Sequence, residues 1–298
     1  MTKTLNNVVR GLSAKNIPEF YVVIPARYAS TRLPGKPLLD IAGRPMVAWV
    51  AERAKQSGAK QVVIATDDNK ILLAVEQLGY QALMTRADHV SGTDRIAEVA
   101  LKQAWSDDAI VVNVQGDEPL IAPSLIVEVA TQLHNSQDAA MATACHAIQK
   151  KTDFLNPNIV KVVLDEKSNA MYFSRAPIPY PRDSFAEIGL PDNIPAYRHI
   201  GIYAYRAKFL KQYASIQPSV LEQIESLEQL RVLHHGYKIS VAVTNNAPAT
   251  GVDTQEDLDF VRSIIKWNPS LTTNNFLRQP HSPINFRKKA VNVLALNS

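Results

Sequence analysis

Residues 20–37 read FYVVIPARYASTRLPGKP. The first five are aromatic or β-branched and Pro25 closes the run, so the spacing predicts a strand that opens into a loop. The loop concentrates Arg27, Arg32 and Lys36 with the hydroxyls of Ser30 and Thr31 and with Gly35. Cations, hydroxyls and a flexible backbone together suit a polyphosphate, whose oxygens need both counter-charge and donors. A solvated basic loop would look similar. The P-loop pattern G-x-x-x-x-G-K-[ST] is absent.

Working outward, the pattern alternates. Helical periodicity is expected over 45–57, with Pro45 in its first turn and Gly58 at its end. Strands follow at 61–66 and 80–84 with a helix over 69–78 between them. A helix over 91–105, with Ser91 and Asp94 as a capping signal, precedes a strand at 109–114 and a helix at 123–133. Strands separated by helices of this length predict a mostly parallel α/β sheet with helices on both faces, which places ligands beyond the carboxyl ends of the strands. The second half is less regular: strands at 141–148, 159–164, 170–173, 201–205 and 239–243, and helices at 220–234 and 254–266. A proline-rich stretch spans 177–195.

Two acidic positions follow strands. Asp117 comes after the strand at 109–114 and Gly116, a good place for Mg²⁺, although an Asp can simply close a strand-end turn. Asp253 precedes the last helix, where it could serve as a cap; Thr254 with Asp257 could fill that role and free Asp253 for metal.

The net charge is +4 and the pI about 9.0. Residues 1–18 carry Lys3, Arg10 and Lys15 without an acid, and residues 267–298 carry Arg278, Arg287, Lys288 and Lys289 without one. These ends supply +3 and +4, which leaves −3 for the remainder and argues against nucleic acid as the partner. We expect a flexible N-terminal extension over 1–18, a single domain over 19–266 and a flexible basic tail over 267–298. Cys145 is the sole cysteine, so a Cys-based metal site is excluded within one chain and a reducing cytoplasm is expected. No apolar run is long enough for a bilayer, and stable membrane association is not expected.

Nine segments in order carry a resemblance: PARYASTRLPGKPL, ATDD, MTRADHVSGTDR, NVQGDEPLI, VKVVLD, YFSRAPIPYPRD, RHIGIYAYR, LEQLRVL and GVDTQEDL. Over about residues 20–266 the chain resembles the 3-deoxy-manno-octulosonate (Kdo) cytidylyltransferases, the CMP-Kdo synthetases. The resemblance implies a Rossmann-like nucleotide-diphospho-sugar transferase fold and a Mg²⁺-dependent transfer of CMP from CTP to Kdo, for lipopolysaccharide assembly. It implies nucleotide contacts from Pro25, Ala26, Arg27, Ser30, Arg32, Lys36, Arg86, Ser91, Gly92 and Asp117. Arg27, Lys36, Asp117 and Asp253 would be catalytic, with the two aspartates as metal ligands. The sugar acid would meet Gln115, Arg175, His199, Tyr203 and Glu228. A homodimer formed through about 175–200 is implied as well. Read without the resemblance, Ser91 and Gly92 start a helix, His199 is an ordinary half-buried histidine and Glu228 an exposed helical residue. A sibling enzyme acting on 8-amino-Kdo or a sialic acid is the nearest alternative.

Overall fold

The computed structural model describes residues 17–29, 32–89, 91–185, 189–191, 194–245, 248–249 and 251–267. In chain order the first half runs β1 (Phe20–Ala26), a 3₁₀ turn (Lys36–Leu38), the short hairpin β2 (Asp40–Ile41) and β3 (Arg44–Pro45), α1 (Met46–Gln56), β4 (Gln61–Thr66), α2 (Asn69–Glu76), β5 (Gln81–Met84), α3 (Gly92–Lys102), β6 (Ile110–Asn113) and α4 (Pro123–Asn135). The second half adds β7 (Ala139–Ala147), α5 (Lys151–Leu155), β8 (Lys161–Leu164), β9 (Ala170–Ser174), β10 (Tyr197–Arg206), α6 (Ala207–Tyr213), α7 (Val220–Glu225), α8 (Gln229–His234), β11 (Lys238–Val243) and α9 (Gln255–Trp267).

The main sheet has the order β11-β7-β10-β6-β1-β4-β5, with β8 joined to β10 and β9 to β8. Along this path β10 is antiparallel to both neighbours and the other six strands run one way, so the sheet is mostly parallel as expected. Period-two alternation assigns each side chain to a face. Phe20, Val22, Ile24 and Ala26 of β1, with Val62 and Ile64 of β4, join the core beneath α1, α2 and α4. Val23, Val63 and Ala65 point the other way, into the core shared with α3, α6 and α8. Both faces are covered, and this explains why the strands read as continuous apolar runs.

Three sequence expectations are corrected. The first strand does not stop at Pro25 but continues to Ala26, with Pro25 opposite Ala65 of β4. The pairing of β1 with β6 ends at Val23 and Asn113, so Pro25 lies where no ladder donor is needed on that side. The strand expected at 201–205 begins at Tyr197, because its polar start pairs with both β7 and β8. The helix expected over 220–234 is two helices. Ser226 adopts φ 53, and the Glu222 carboxylate holds Arg231 across the break at 2.6 and 2.8 Å.

The proline-rich stretch is anchored to the body. Phe185, Leu190 and Ile194 pack on a small core of Ile148, Phe154, Ile159 and Ala196.

Candidate active site

From β1 the chain proceeds to β4 and β5 on one side, then returns to β6 on the other. The crevice between the ends of β1 and β6 is therefore the topological switch point, where open α/β sheets bind ligands. A cleft of about 340 Å³ opens there. Pro25, Ala26, Arg27, Arg32 and Lys36 line it from the β1 side, Gln115, Gly116 and Asp117 from the β6 side, and Asp253 from the loop before α9. Gly116 is required by geometry, since a Cβ there would stand 2.7 Å from the Pro25 carbonyl oxygen. Gly35, at φ 66, lets the loop turn back so that its N–H reaches Tyr28 O at 3.3 Å, and Lys36 is delivered to the cleft.

One ammonium organises the charges. Lys36 Nζ donates to Asp117 Oδ2 at 2.6 Å and to Asp253 Oδ1 at 3.0 Å, and Arg32 donates to the same Asp253 oxygen at 3.0 Å. Burial works against a charged Lys36, yet the two carboxylates outweigh it and its pKa is raised. The Asp253 side chain is free for this because the expected cap uses only its backbone N–H, which donates to Asp257 Oδ2 at 3.0 Å, while Thr254 and Asp257 bond reciprocally at 3.2 and 2.9 Å. The Val252 N–H donates to Asp117 O at 2.9 Å and locks the two aspartate loops together. Next to them, burial first and the Asp117 charge second raise the Glu118 carboxyl to about 7.

The pair of carboxylates is a hard-oxygen donor set that already surrounds a cation, and this chemistry fits Mg²⁺. Among the described residues, no group of three or more His, Cys, Asp or Glu is arranged to hold a metal. An ion at Asp117 and Asp253 would take its other ligands from elsewhere.

A second polar region lies beyond β10. A register shift between Ile200 and Tyr203 interrupts the β10–β7 ladder, and Thr143 Oγ1 fills it, 3.1 Å from Ile200 O and 2.8 Å from Ile202 O. These carbonyls claim the single hydroxyl proton, so Thr143 accepts from His199 Nε2, 2.9 Å away, and Nδ1 is left unprotonated. Burial pushes the imidazole pKa down to about 3. The His199 ring stands 5.5 Å from that of Tyr203, whose phenol burial raises well above its usual value. Tyr203, Thr93, Tyr205 and Glu228 share a small cavity. Glu228 is exposed as a residue, but its carboxylate accepts from Thr93 Oγ1 at 3.1 Å and burial raises its pKa. The break at Ser226 makes this possible by starting α8 just after Glu228.

Of the residues expected from the sequence, Pro25, Ala26, Arg27, Arg32, Lys36, Gln115, Asp117 and Asp253 meet in the cleft. His199, Tyr203 and Glu228 gather around β10. Ser91 is consumed by the capping box with Asp94, and Gly92 lies beside Pro25. Arg86 is outside the cleft lining, forked onto Asp88 at 2.9 and 2.6 Å and exposed. Arg175 is turned to backbone, donating to Glu225 O at 2.7 Å and Pro157 O at 3.1 Å. Ser30 lies outside the described residues. The sequence reading passed over Thr93 and Thr143. Thr93 directly follows Gly92 and could have been found from its place in the first turn of α3; Thr143 carries no such signal within β7.

Comparisons with known proteins bear on the family and the fold. A family model described as cytidylyltransferase matches residues 21–239. A 3-deoxy-manno-octulosonate cytidylyltransferase of Vibrio parahaemolyticus is 58% identical over 246 residues, covering 83% of this chain and 98% of the relative. The protein of that name from Vibrio campbellii is also 58% identical over 246 residues, covering 83% and 97%. The solved structure of a CMP:2-keto-3-deoxy-manno-octonic acid synthetase complexed with CTP superposes with a TM-score of 0.77 at 43% identity, over 84% of this chain and all of that one.

Proposed function

This chain belongs to the cytidylyltransferase family, and on that premise we propose that it transfers CMP from CTP to the anomeric hydroxyl of Kdo, releasing pyrophosphate. The observation that carries the reading is the Lys36–Asp117–Asp253 cluster at the switch point, beside a cationic loop. The relatives are named for the octulosonate, which disfavours the 8-amino-Kdo or sialic acid alternative.

The chain's own groups divide the work. Arg27, Arg32 and Lys36 bind the triphosphate and neutralise charge that develops on its oxygens during in-line displacement. Lys36 and Arg32 are held ready by carboxylates and exchange them for phosphate when the nucleotide arrives. Asp117 and Asp253 would hold Mg²⁺. When bound, the ion supplies charge neutralisation at phosphate oxygens and lowers the pKa of a coordinated hydroxyl. Gln115, His199, Tyr203 and Glu228 orient the sugar acid, which fits a region that offers neutral donors and acceptors. Arg175 would pair with its carboxylate by turning from the carbonyls it now holds. On the nucleotide side Ser30 joins Pro25, Ala26 and the cations, while Arg86, Ser91 and Gly92 read the pyrimidine and ribose. The hydroxyl oxygen bonds to the α-phosphorus as the bond to the pyrophosphate oxygen breaks.

The remaining assignments follow the same family reading: a homodimer through about 175–200, action in the cytoplasm and supply of CMP-Kdo to lipopolysaccharide assembly. Tyr180, 61% exposed and stacked on Phe185, supports an interface at that segment, and sedimentation analysis tests it. No helix among the described residues is long and apolar enough to cross a membrane.

Incubation with CTP, Mg²⁺ and a panel of sugar acids tests the reaction. Pyrophosphate release that depends on Kdo is expected. A faster rate with another acid would select the sibling activity, and no release with any acid would overturn the reading.

A further inference from the structure

Among the described residues that line the cleft, Lys36 and Arg32 are held by carboxylates, whereas no carboxylate is seen to hold Arg27. Its guanidinium instead donates to the backbone carbonyl of His89 at 2.8 Å, in the loop between β5 and α3. A long side chain with many rotamers gains a fixed direction only if that carbonyl is itself fixed. The loop is tied at its start, where the Thr85 N–H meets Thr66 O at 2.8 Å. Beyond that point Arg86 pairs with Asp88 inside the loop, and a carboxylate from α3 ties the loop to the body. Glu98, on α3 and only 14% exposed, accepts from the Arg86 N–H at 3.0 Å and contacts His89 Nε2 through the same oxygen, Oε2. Its other oxygen is held by Lys102 at 2.6 Å. Burial alone would raise the Glu98 carboxyl, but hydrogen bonds from Lys102, His89 and the Arg86 N–H bring it down to about 2. It is therefore an anion at neutral pH, and His89 Nε2 is the donor. The Ser91–Asp94 capping box fixes the start of α3 two residues beyond His89.

We propose that His89 and Glu98 are positioning residues for Arg27: the imidazole–carboxylate contact immobilises the His89 carbonyl, which aims the Arg27 guanidinium over the nucleotide cleft. This rests on the reading of that cleft as the CTP site. Neither side chain lines the cleft, so the effect passes through Arg27.

The test is a double-mutant cycle on the full chain, read as CTP affinity by calorimetry and as KM for each substrate. His89→Ala and Glu98→Gln are each expected to weaken CTP binding about tenfold, the usual scale of one lost charge-assisted contact, with the Kdo KM within about twofold. In an Arg27→Met background His89→Ala should cost less than about twofold, because the group it positions is gone. Equal losses in both backgrounds, or a Kdo KM that rises with the CTP KM, would overturn the proposal and indicate a general structural role. If His89→Ala does not fold, Glu98→Gln carries the same comparison, since the amide oxygen still accepts from the Arg86 N–H. Loss of CTP binding only in the variants separates this proposal from the functional reading: failure of the wild-type chain to bind CTP overturns both, whereas indifference of binding to Arg27→Met overturns this proposal alone.

Discussion

The cleft beyond β1 and β6 and the polar region around β10 are built on opposite electrostatic plans. In the cleft the groups are ionised, paired and partly wet: Lys36 is shared by Asp117 and Asp253, and Asp253 is about half exposed. Around β10 the titratable groups are driven toward their neutral forms. His199 is pushed to about 3, and Tyr203 and Glu228 are raised. The difference matches what each region would receive. A nucleotide triphosphate brings its own charge, so the protein can keep exchangeable counter-charges there at low cost. A sugar acid presents mainly hydroxyls, which neutral donors and acceptors can read without an unpaired buried ion.

This contrast predicts where substitutions act. The largest effect belongs to Asp117→Asn, which should reduce turnover by about a thousandfold or more while the fold persists; steady-state pyrophosphate release and circular dichroism check it. Near wild-type turnover would remove Asp117 from the charge centre. Gly116→Ala comes next. The new Cβ would press on Pro25 O at 2.7 Å, so the strand ends must separate, with a stability loss of about 1–3 kcal/mol in chemical denaturation and a weaker CTP affinity.

On the other side, Tyr203→Phe should raise the Kdo KM by about tenfold and leave the CTP KM unchanged. A comparable rise in both would erase the division between the regions. The last prediction is read on acid stability rather than on turnover or affinity. An unfolded histidine takes up a proton near pH 6.5, while folded His199 resists it down to about 3. Stability should therefore decline as pH falls below 6.5, by at most about 1.4 kcal/mol per pH unit from this group. Denaturant midpoints between pH 7 and 4 should decline less steeply for His199→Gln than for the wild type.

The two regions also differed in how well the sequence revealed them. β1, β4 and β6 were legible as strands from their apolar runs, although β1 continues one residue past Pro25; the strand order that makes their ends the switch point was not, because it depends on pairing between distant segments. Asp253 was legible too, since Thr254 and Asp257 are spaced to cap α9 and leave it free. The region around β10 was harder. Nothing in residues 220–234 signals a left-handed Ser226, because the helical pattern continues across it; the Glu222–Arg231 pair is a tertiary contact that overrides the local preference. The bulge that Thr143 fills depends on the alignment of two distant strands. His89 and Glu98 are nine positions apart and belong to a loop and a helix, so no periodicity connects them.

The central claim is that Asp117 and Asp253 trade the Lys36 ammonium for a metal–nucleotide pair at the switch point. The most direct measurement is CTP binding without Kdo, titrated with Mg²⁺, in the wild type and in Asp117→Asn. The account predicts that Mg²⁺ strengthens binding to the wild type and does little for the variant. An equal gain in both, or no response to Mg²⁺ in the wild type, would contradict it.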